Sequence, residues 1–281
     1  MLAIGLLFIS YSFLKDANIP VLNPKGIIGE KERQLLFIGV GLSLLVVVPV
    51  FTMTIFIVWK YRETNKKATY TPEWDHSRKA ETIWWLIPTI LIAIISIITW
   101  KSSYALDPYR QVASTNKPLN VKVVSLDWKW LFIYPKENIA TVNYLVLPVN
   151  RPVTFDVTSD APMNSFWIPQ LGGQIYAMPG MSTQLNLMAT SVGTFRGLSA
   201  NISGSGFSSM NFVVKSTSGN DFDSWVSGVK KSSLSLNDAS YRQLQNPSEN
   251  YPATYYSSEQ AGLYDTIVYK YMMPIAGTKT Q

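Results

Sequence analysis

Two long stretches without a charged side chain constrain the fold of this 281-residue chain more than any other feature. The first covers residues 35–59, and a helix of that length measures about 37 Å, enough to cross a hydrocarbon layer about 30 Å thick. The second, residues 82–100, is just long enough. Tryptophan and tyrosine stand near the ends of both stretches, as is typical of membrane interfaces. We therefore expect transmembrane helices at residues 35–59 and 82–101.

The segment between the two helices, residues 60–81, indicates how the hairpin is oriented. It contains six lysine and arginine residues. Short loops rich in these residues stay on the cytoplasmic side, so both ends of the chain should face outward, toward the periplasm of a bacterial inner membrane. Residues 1–34 begin with an apolar stretch too short to span, which is either the remnant of a signal peptide or a segment on the membrane surface.

The sequence pattern changes after a linker at residues 102–117. Residues 118–216 contain short runs of alternating apolar residues, such as Val153, Phe155 and Val157, separated by Pro, Gly, Asn and Ser. This pattern predicts an all-β sandwich or barrel. Residues 217–281 form a polar tail rich in tyrosine, with helical patterns at residues 221–231 and 237–244. A tail this aromatic should dock on a surface.

The residue inventory excludes several kinds of chemistry. The chain has no cysteine and one histidine, His76. A disulfide framework, a thiolate metal site and a cysteine nucleophile are therefore excluded. A site that needs two imidazoles from this chain is excluded as well.

Five motifs in order carry a family resemblance over most of the chain. They are LNPKGIIG (22–29), YTPEWDHSRKAETIWWLIP (70–88), SLDWKWLFIYP (125–135), MNSFWIPQLGGQIYAMPGM (163–181) and GLSANISGSGFSSMNF (197–212). With the hairpin and the outer β domain, they resemble subunit II of the haem-copper respiratory oxidases. The resemblance implies a membrane α-helical hairpin, an all-β cupredoxin-like Greek-key domain and a short helical C-terminal tail.

Within that family, cytochrome c oxidases hold a dinuclear copper centre, CuA, on a loop of pattern C-x-E-x-C-x-x-x-H-x-x-M and on a second, distant histidine. The corresponding positions here are Asn164, Ser199, Asn201, Ser203, Phe207 and Met210. Serine hydroxyls stay protonated and bind copper weakly, and one thioether cannot hold it tightly. We therefore expect no metal at these positions, a pattern similar to that of bo-type quinol oxidases.

The resemblance also implies the partners and cofactors. Subunit I would carry the haems, the oxygen-reducing copper and the ubiquinol site, while this chain binds no cofactor and has no catalytic residue. The complex would oxidise quinol, reduce oxygen to water and translocate protons, in contact with membrane lipid and further oxidase subunits. Neither nucleic acid nor soluble cytochrome c is an expected partner. The alternatives are a copper-bearing subunit of a cytochrome c oxidase and a membrane-anchored binding domain.

Glu81 is the residue for which the resemblance implies a role in proton uptake. A family glutamate in this segment lies near the mouth of the K-pathway, a proton channel of subunit I. Glu81 is the last charged residue before the second span, on the cytoplasmic side, where a carboxylate can collect protons. The alternative is a helix cap or an ion pair with Arg78 or Lys79. We interpret His76 as a solvated loop residue, with a role in collecting protons as the alternative.

Overall fold

The computed structural model describes residues 19–69, 71–73 and 75–272, and the apolar stretch at the start of the chain lies outside them. Contacts divide the chain into two units. One is Gln34–Asp107, and the other joins the described residues before Gln34 with those after Asp107. The first consists mainly of helix and the second mainly of β-sheet.

Two long helices form most of the first unit. Helix α1 is Ile27–Lys60, with 34 residues, and helix α2 is Arg78–Ala105, with 28. Both are longer than the uncharged stretches, because polar turns extend them at their ends. Their apolar side chains are exposed on all sides, as with Phe51 and Trp85, and a helix with this surface is suited to lipid. Both helices are long and apolar enough to cross a membrane.

The second unit contains a sandwich of two sheets. In the described part of the chain, the strands are β1 (Leu119–Leu126), β2 (Lys129–Tyr134), β3 (Ile139–Val142), β4 (Tyr144–Pro148), β5 (Val153–Ser159), β6 (Asn164–Trp167), β7 (Gln174–Ala177), β8 (Thr183–Leu187), β9 (Gly193–Ser199), β10 (Asn211–Thr217) and β11 (Thr254–Tyr256). The sheet orders are β11-β3-β2-β1-β5-β8 and β4-β10-β9-β6-β7. Strand β1 pairs parallel with β5, and β10 with β4, while the other pairs are antiparallel. The predicted all-β domain is confirmed.

The six-stranded sheet is buried on both faces, which explains why strand β2 is buried at every position. Trp130 and Phe132 point into the core between the sheets, beside Phe166 and Phe212. Leu131 and its neighbours on β1 and β3 belong to a second core, formed with the tail. A strand covered on both faces is mostly apolar, and in β2 every residue after Lys129 is aliphatic or aromatic, so the apolar–polar alternation is lost there.

The C-terminal tail docks on the sandwich, as its aromatic residues predict. It forms helices α3 (Gly219–Val229), α4 (Asp238–Gln245) and α5 (Leu263–Lys270). Its strand β11 adds an edge to the six-stranded sheet by pairing with β3. The sequence analysis expected only helices in the tail, because a three-residue strand leaves no readable alternation.

Asp160, which follows β5, holds the tail on the sandwich. Its carboxylate is fully buried and accepts four hydrogen bonds of 2.6–2.7 Å. The donors are Tyr241, Gln245, Lys270 and Tyr271. Burial alone would raise the pKa of Asp160, but these hydrogen bonds outweigh it and hold the pKa below its usual value. The buried charge is thus matched by donors from two parts of the tail.

Lys129 at the start of β2 is a second buried tie to the tail. Its side chain is fully buried, and its Nζ donates to the Asn246 carbonyl at 2.8 Å and to Ser248 Oγ at 2.7 Å. The ammonium also lies 5.3 Å from the centre of the Tyr251 ring. Burial lowers the pKa of Lys129, and its partners compensate for part of the lost hydration.

The start of α1 is anchored in the β unit. The first amides of a helix lack partners within it, and here Ile27 N donates to the Met188 carbonyl at 3.2 Å, and Gly29 N to the Leu171 carbonyl at 2.9 Å. A Cβ on Gly26 would lie 2.7 Å from the Leu171 oxygen, so this approach requires glycine. The LNPKGIIG motif therefore fixes where the first helix leaves the β unit.

Candidate functional site

The loop at residues 199–210 connects β9 to β10 and carries five of the six positions predicted from the copper-loop pattern. It contains a 3₁₀ turn at Ser205–Ser209. The sixth position, Asn164, begins β6, which pairs with β9 so that Phe166 faces Ser199. Sheet pairing therefore places Asn164 beside the loop, although it is distant in sequence.

Asn164 makes direct contacts with two of the predicted positions. Its buried side-chain amide donates to Ser203 Oγ at 2.9 Å and lies 3.2 Å from Met210 Sδ. Its Oδ1 accepts from the backbone N–H of Ser165 at 2.9 Å. Both ends of the amide are therefore engaged by neighbouring side chains and backbone.

The other three predicted positions are arranged differently. Ser199 is buried, and its Oγ has no hydrogen-bond partner among the described residues. Asn201 turns away and donates to the Met163 carbonyl at 3.1 Å. Phe207 is half-buried in the 3₁₀ turn, where its carbonyl accepts from Met210 N at 3.0 Å. The structure thus joins Asn164, Ser203 and Met210, and it directs the Asn201 amide elsewhere.

The chemistry of these side chains does not suit a CuA centre. A dinuclear copper site needs bridging thiolates and imidazoles, whereas the groups here are an amide, two hydroxyls and a thioether. Within residues 19–272, apart from the undescribed Tyr70 and Trp74, no group of three His, Asp or Glu side chains lies close enough together to hold a metal.

Trp128 supports the loop from the side. It lies in the two-residue turn between β1 and β2, and its φ is +61°. A bulky residue rarely adopts this conformation, which costs about 1–3 kcal/mol. The indole compensates by donating to the Ser203 carbonyl at 3.1 Å and by packing on Gly206, where a Cβ would overlap the ring.

Glu81 lies in the first turn of α2. Ser77 caps the helix, and Glu81 Oε1 accepts from the Ser77 N–H at 3.3 Å. The same oxygen forms an ion-pair contact with His76 Nδ1, and not with Arg78 or Lys79. His76 remains 60% exposed at its side chain, and that of Glu81 is 33% exposed. Glu81 therefore contacts the cap of the helix, and the side chain beside it is His76, not Arg78 or Lys79.

Three features of the structure are not predicted by the sequence. Asp160 and Lys129 look like solvated charges along the chain, and no pattern predicts the contact between His76 and Glu81. The only signal for Asp160 was its position after a strand, which is too common to be informative. For Lys129, a signal was its position in a run of apolar strand residues.

Comparison with known proteins places the chain in a family. A family model for the periplasmic domain of cytochrome c oxidase subunit II matches residues 100–217, and one for the COX aromatic rich motif matches residues 230–274. A cytochrome bo(3) ubiquinol oxidase subunit 2 from Pseudomonas putida is 51% identical over 94% of this chain and 84% of its own length. Another, from Pseudomonas aeruginosa, is 49% identical over 92% and 78%.

A solved structure also matches part of the chain. The periplasmic domain of subunit II of the Bradyrhizobium japonicum cytochrome oxidase is 24% identical, with a TM-score of 0.40, over 42% of this chain and 98% of that domain. Two apolar helices and a periplasmic β domain fit an inner-membrane protein whose β domain faces the periplasm. The chain belongs to the subunit II family of the haem-copper oxidases and is a subunit II of a quinol oxidase, an oxidoreductase complex.

Proposed function

We propose that this chain is a copper-free subunit II that assembles with a haem-bearing subunit I in a proton-translocating ubiquinol oxidase. Subunit I carries the haems, the oxygen-reducing copper and the quinol site. The observation that carries the copper-free assignment is the contact of Asn164 with Ser203 and Met210. In this contact, side chains at positions that correspond to copper ligands bind one another. The names of the relatives support ubiquinol as the electron donor.

The assignment agrees with the route that electrons take from a quinol. A soluble donor needs a redox centre on the outer surface of the complex, whereas a lipid-soluble quinol reaches subunit I from within the membrane. The β domain then has no electron to carry, and its function is to cover the outer face of subunit I and stabilise the assembly.

Metal analysis and near-infrared absorbance of the purified complex test this assignment. We expect no more copper than the oxygen-reducing site of subunit I accounts for, and no near-infrared band from a dinuclear centre. Additional copper that stays bound through chelation, together with such a band, would contradict the proposal. Absence of haem from a complex purified in mild detergent would contradict the partnership with subunit I.

Proton uptake at Glu81 is the second part of the proposal. The carboxylate lies at the cytoplasmic start of α2, because the β domain is periplasmic and each helix crosses once. It is partly exposed, and His76 contacts it from a still more exposed position. A carboxylate at this boundary exchanges protons with water and can pass them to an adjacent channel. The hydrogen bond from the Ser77 N–H holds the Glu81 side chain in place and is compatible with this role.

Glu81→Gln separates proton uptake from capping, because the glutamine oxygen can still accept from Ser77 N–H but the amide does not titrate. We expect quinol turnover of the whole complex to fall severalfold, and more at high pH, where protons are scarce. Glu73→Gln, at an exposed carboxylate of the same loop, is the matched control and should leave turnover unchanged. If Glu81→Gln and wild type turn over equally across pH, Glu81 has no role in proton uptake and only caps the helix.

A further inference from the structure

A groove of about 830 Å³ lies at the cytoplasmic end of α1. Its lower wall is apolar and its upper rim is basic and polar, formed by Met53, Phe56 and Ile57 below and by Lys60, Arg62 and Asn65 above. We call it the juxtamembrane groove. None of these residues belongs to the loop at residues 199–210 or contacts Glu81 in the described structure.

The apolar wall is open to its surroundings at the depth of the membrane. Met53 is 61% exposed, Phe56 52% and Ile57 48%. These residues lie within two turns of the point where the first span ends, so hydrocarbon is the medium that they meet. An acyl chain lying along this wall would cover them.

Two cations stand above the wall without a carboxylate partner. Within the described ranges, no Asp or Glu is in ion-pair contact with Lys60 or Arg62. Lys60 Nζ lies 5.6 Å from the Phe56 ring centre and 5.3 Å from that of Tyr61, and Arg62 lies 5.4 Å from that of Trp59. The rings restrict both cations and leave their charges available.

The C-terminal end of α1 does not repel an anion bound in the juxtamembrane groove. The C-terminus of a helix carries partial negative charge on its last carbonyls. Arg62 Nη1 donates to the Trp59 carbonyl at 3.0 Å, and Asn65 Nδ2 donates to the Lys60 carbonyl. Glu63 also lines the groove, but its single charge is exceeded by the two cations. The rim is therefore positive.

We infer that the juxtamembrane groove binds the phosphate of an anionic phospholipid, with an acyl chain along Met53, Phe56 and Ile57. The order of the chemistry, apolar below and cationic above, matches a lipid entering from the cytoplasmic leaflet. That leaflet is the one the groove faces, because the β domain is on the opposite side. Basic residues at a membrane surface attract anionic lipids in this way.

Photolabelling of the complete oxidase complex tests the site. The complex, in detergent, is titrated with a phosphatidylglycerol that carries a photoreactive acyl chain, and labelled peptides are mapped by mass spectrometry. We expect label on residues 53–71. Lys60→Gln with Arg62→Gln should weaken the apparent affinity about 30-fold, as expected for two lost cation contacts. Inorganic phosphate in excess should not compete, because it lacks the acyl chain.

A matched control distinguishes a site from general attraction to a basic loop. Lys66→Gln with Lys67→Gln removes the same charge from the same loop, outside the groove, and should keep labelling within about twofold of wild type. Equal loss in both double variants would overturn the site, as would equal labelling by a phosphatidylcholine analogue. An absence of label from residues 53–71 in the wild-type complex would mean that another subunit covers the groove, and would also overturn it.

Discussion

Replacing Asp160 by asparagine should release the C-terminal tail from the β domain. The substitution keeps the size of the side chain and removes its charge. The wild-type carboxylate accepts from Tyr241 and Gln245 at one oxygen, and from Lys270 and Tyr271 at the other. An amide has one oxygen, so its NH₂ group must face two of these donors whichever way it is oriented.

The expected cost follows from the number of donors left without an acceptor. A hydrogen bond to a charged group contributes about 1.5–3 kcal/mol when buried. Lys270 is about half exposed, so its contact is largely screened and contributes much less. With about two hydrogen bonds lost, one of them weak, the docked tail should lose roughly 3 kcal/mol of local stability.

Hydrogen exchange of the whole complex measures this local free energy. A loss of about 3 kcal/mol should speed the exchange of amides in α4 and α5 by about 150-fold. Amides of the central strands β1 and β5 should be unaffected. The matched control is Asp265→Asn in the same tail, since Asp265 is exposed and pairs with Lys122 at 3.3 Å. That surface pair is worth less than about 1 kcal/mol.

Unchanged exchange in α4 and α5, or equal changes in the two variants, would refute the reasoning. The pH dependence supplies a second check. Because the pKa of Asp160 is lower in the folded protein than in the unfolded chain, its contribution is complete above the unfolded pKa of about 4. It should be lost as the pH falls through the lower, folded value. Protection of the tail should therefore weaken below about pH 4 in wild type, and this dependence should be absent in Asp160→Asn.

Two other substitutions test the packing around the sites. Gly206→Ala should destabilise the loop at residues 199–210 by about 1–3 kcal/mol, because its Cβ overlaps the Trp128 ring, and faster amide exchange in the loop would reveal it. Its control, Gly228→Ala, has open space and should stabilise α3 by up to about 1 kcal/mol. Lys129→Met should lower the local stability by about 1–3 kcal/mol, because the Asn246 carbonyl and Ser248 Oγ lose their donor. Faster amide exchange at residues 246–251 would show this loss, and unchanged exchange would contradict it.

The architecture could be predicted because it depends on long, repeated patterns. Two uncharged stretches predicted two helices, and alternating residues such as Val153 and Phe155 predicted strands. In β2 the inward positions Trp130 and Phe132 alternate, but the other face is covered as well, so every residue is buried. The turn at Trp128 could not be predicted, because a turn that holds a bulky residue at positive φ has no sequence signature.

The contacts of the candidate sites could be predicted only where a motif supplied the positions. The loop pattern indicated Asn164, Ser203 and Met210, and the structure joins them. The pairing of His76 with Glu81 was not visible, because residues five apart are not neighbours on a helix surface. Ser77, the N-cap of α2, has an extended backbone, which directs His76 toward the first turn of the helix. This geometry depends on where α2 starts.

The side chains at the six predicted positions also bear on what holds the loop at residues 199–210 in place. Bound metal contributes its binding free energy to the folded state and joins loop to sheet. Here the loop is joined instead by neutral hydrogen bonds from Asn164 and by the Trp128 indole, each worth about 1 kcal/mol. Such contacts are weaker than metal bonds, and the packing of the strained Trp128 on Gly206 adds to them. The aromatic core beneath, with Phe166 stacked on Phe212 at 5.4 Å, depends on neither arrangement. The core packing of the sandwich and the contacts of the loop are therefore separate sources of stability.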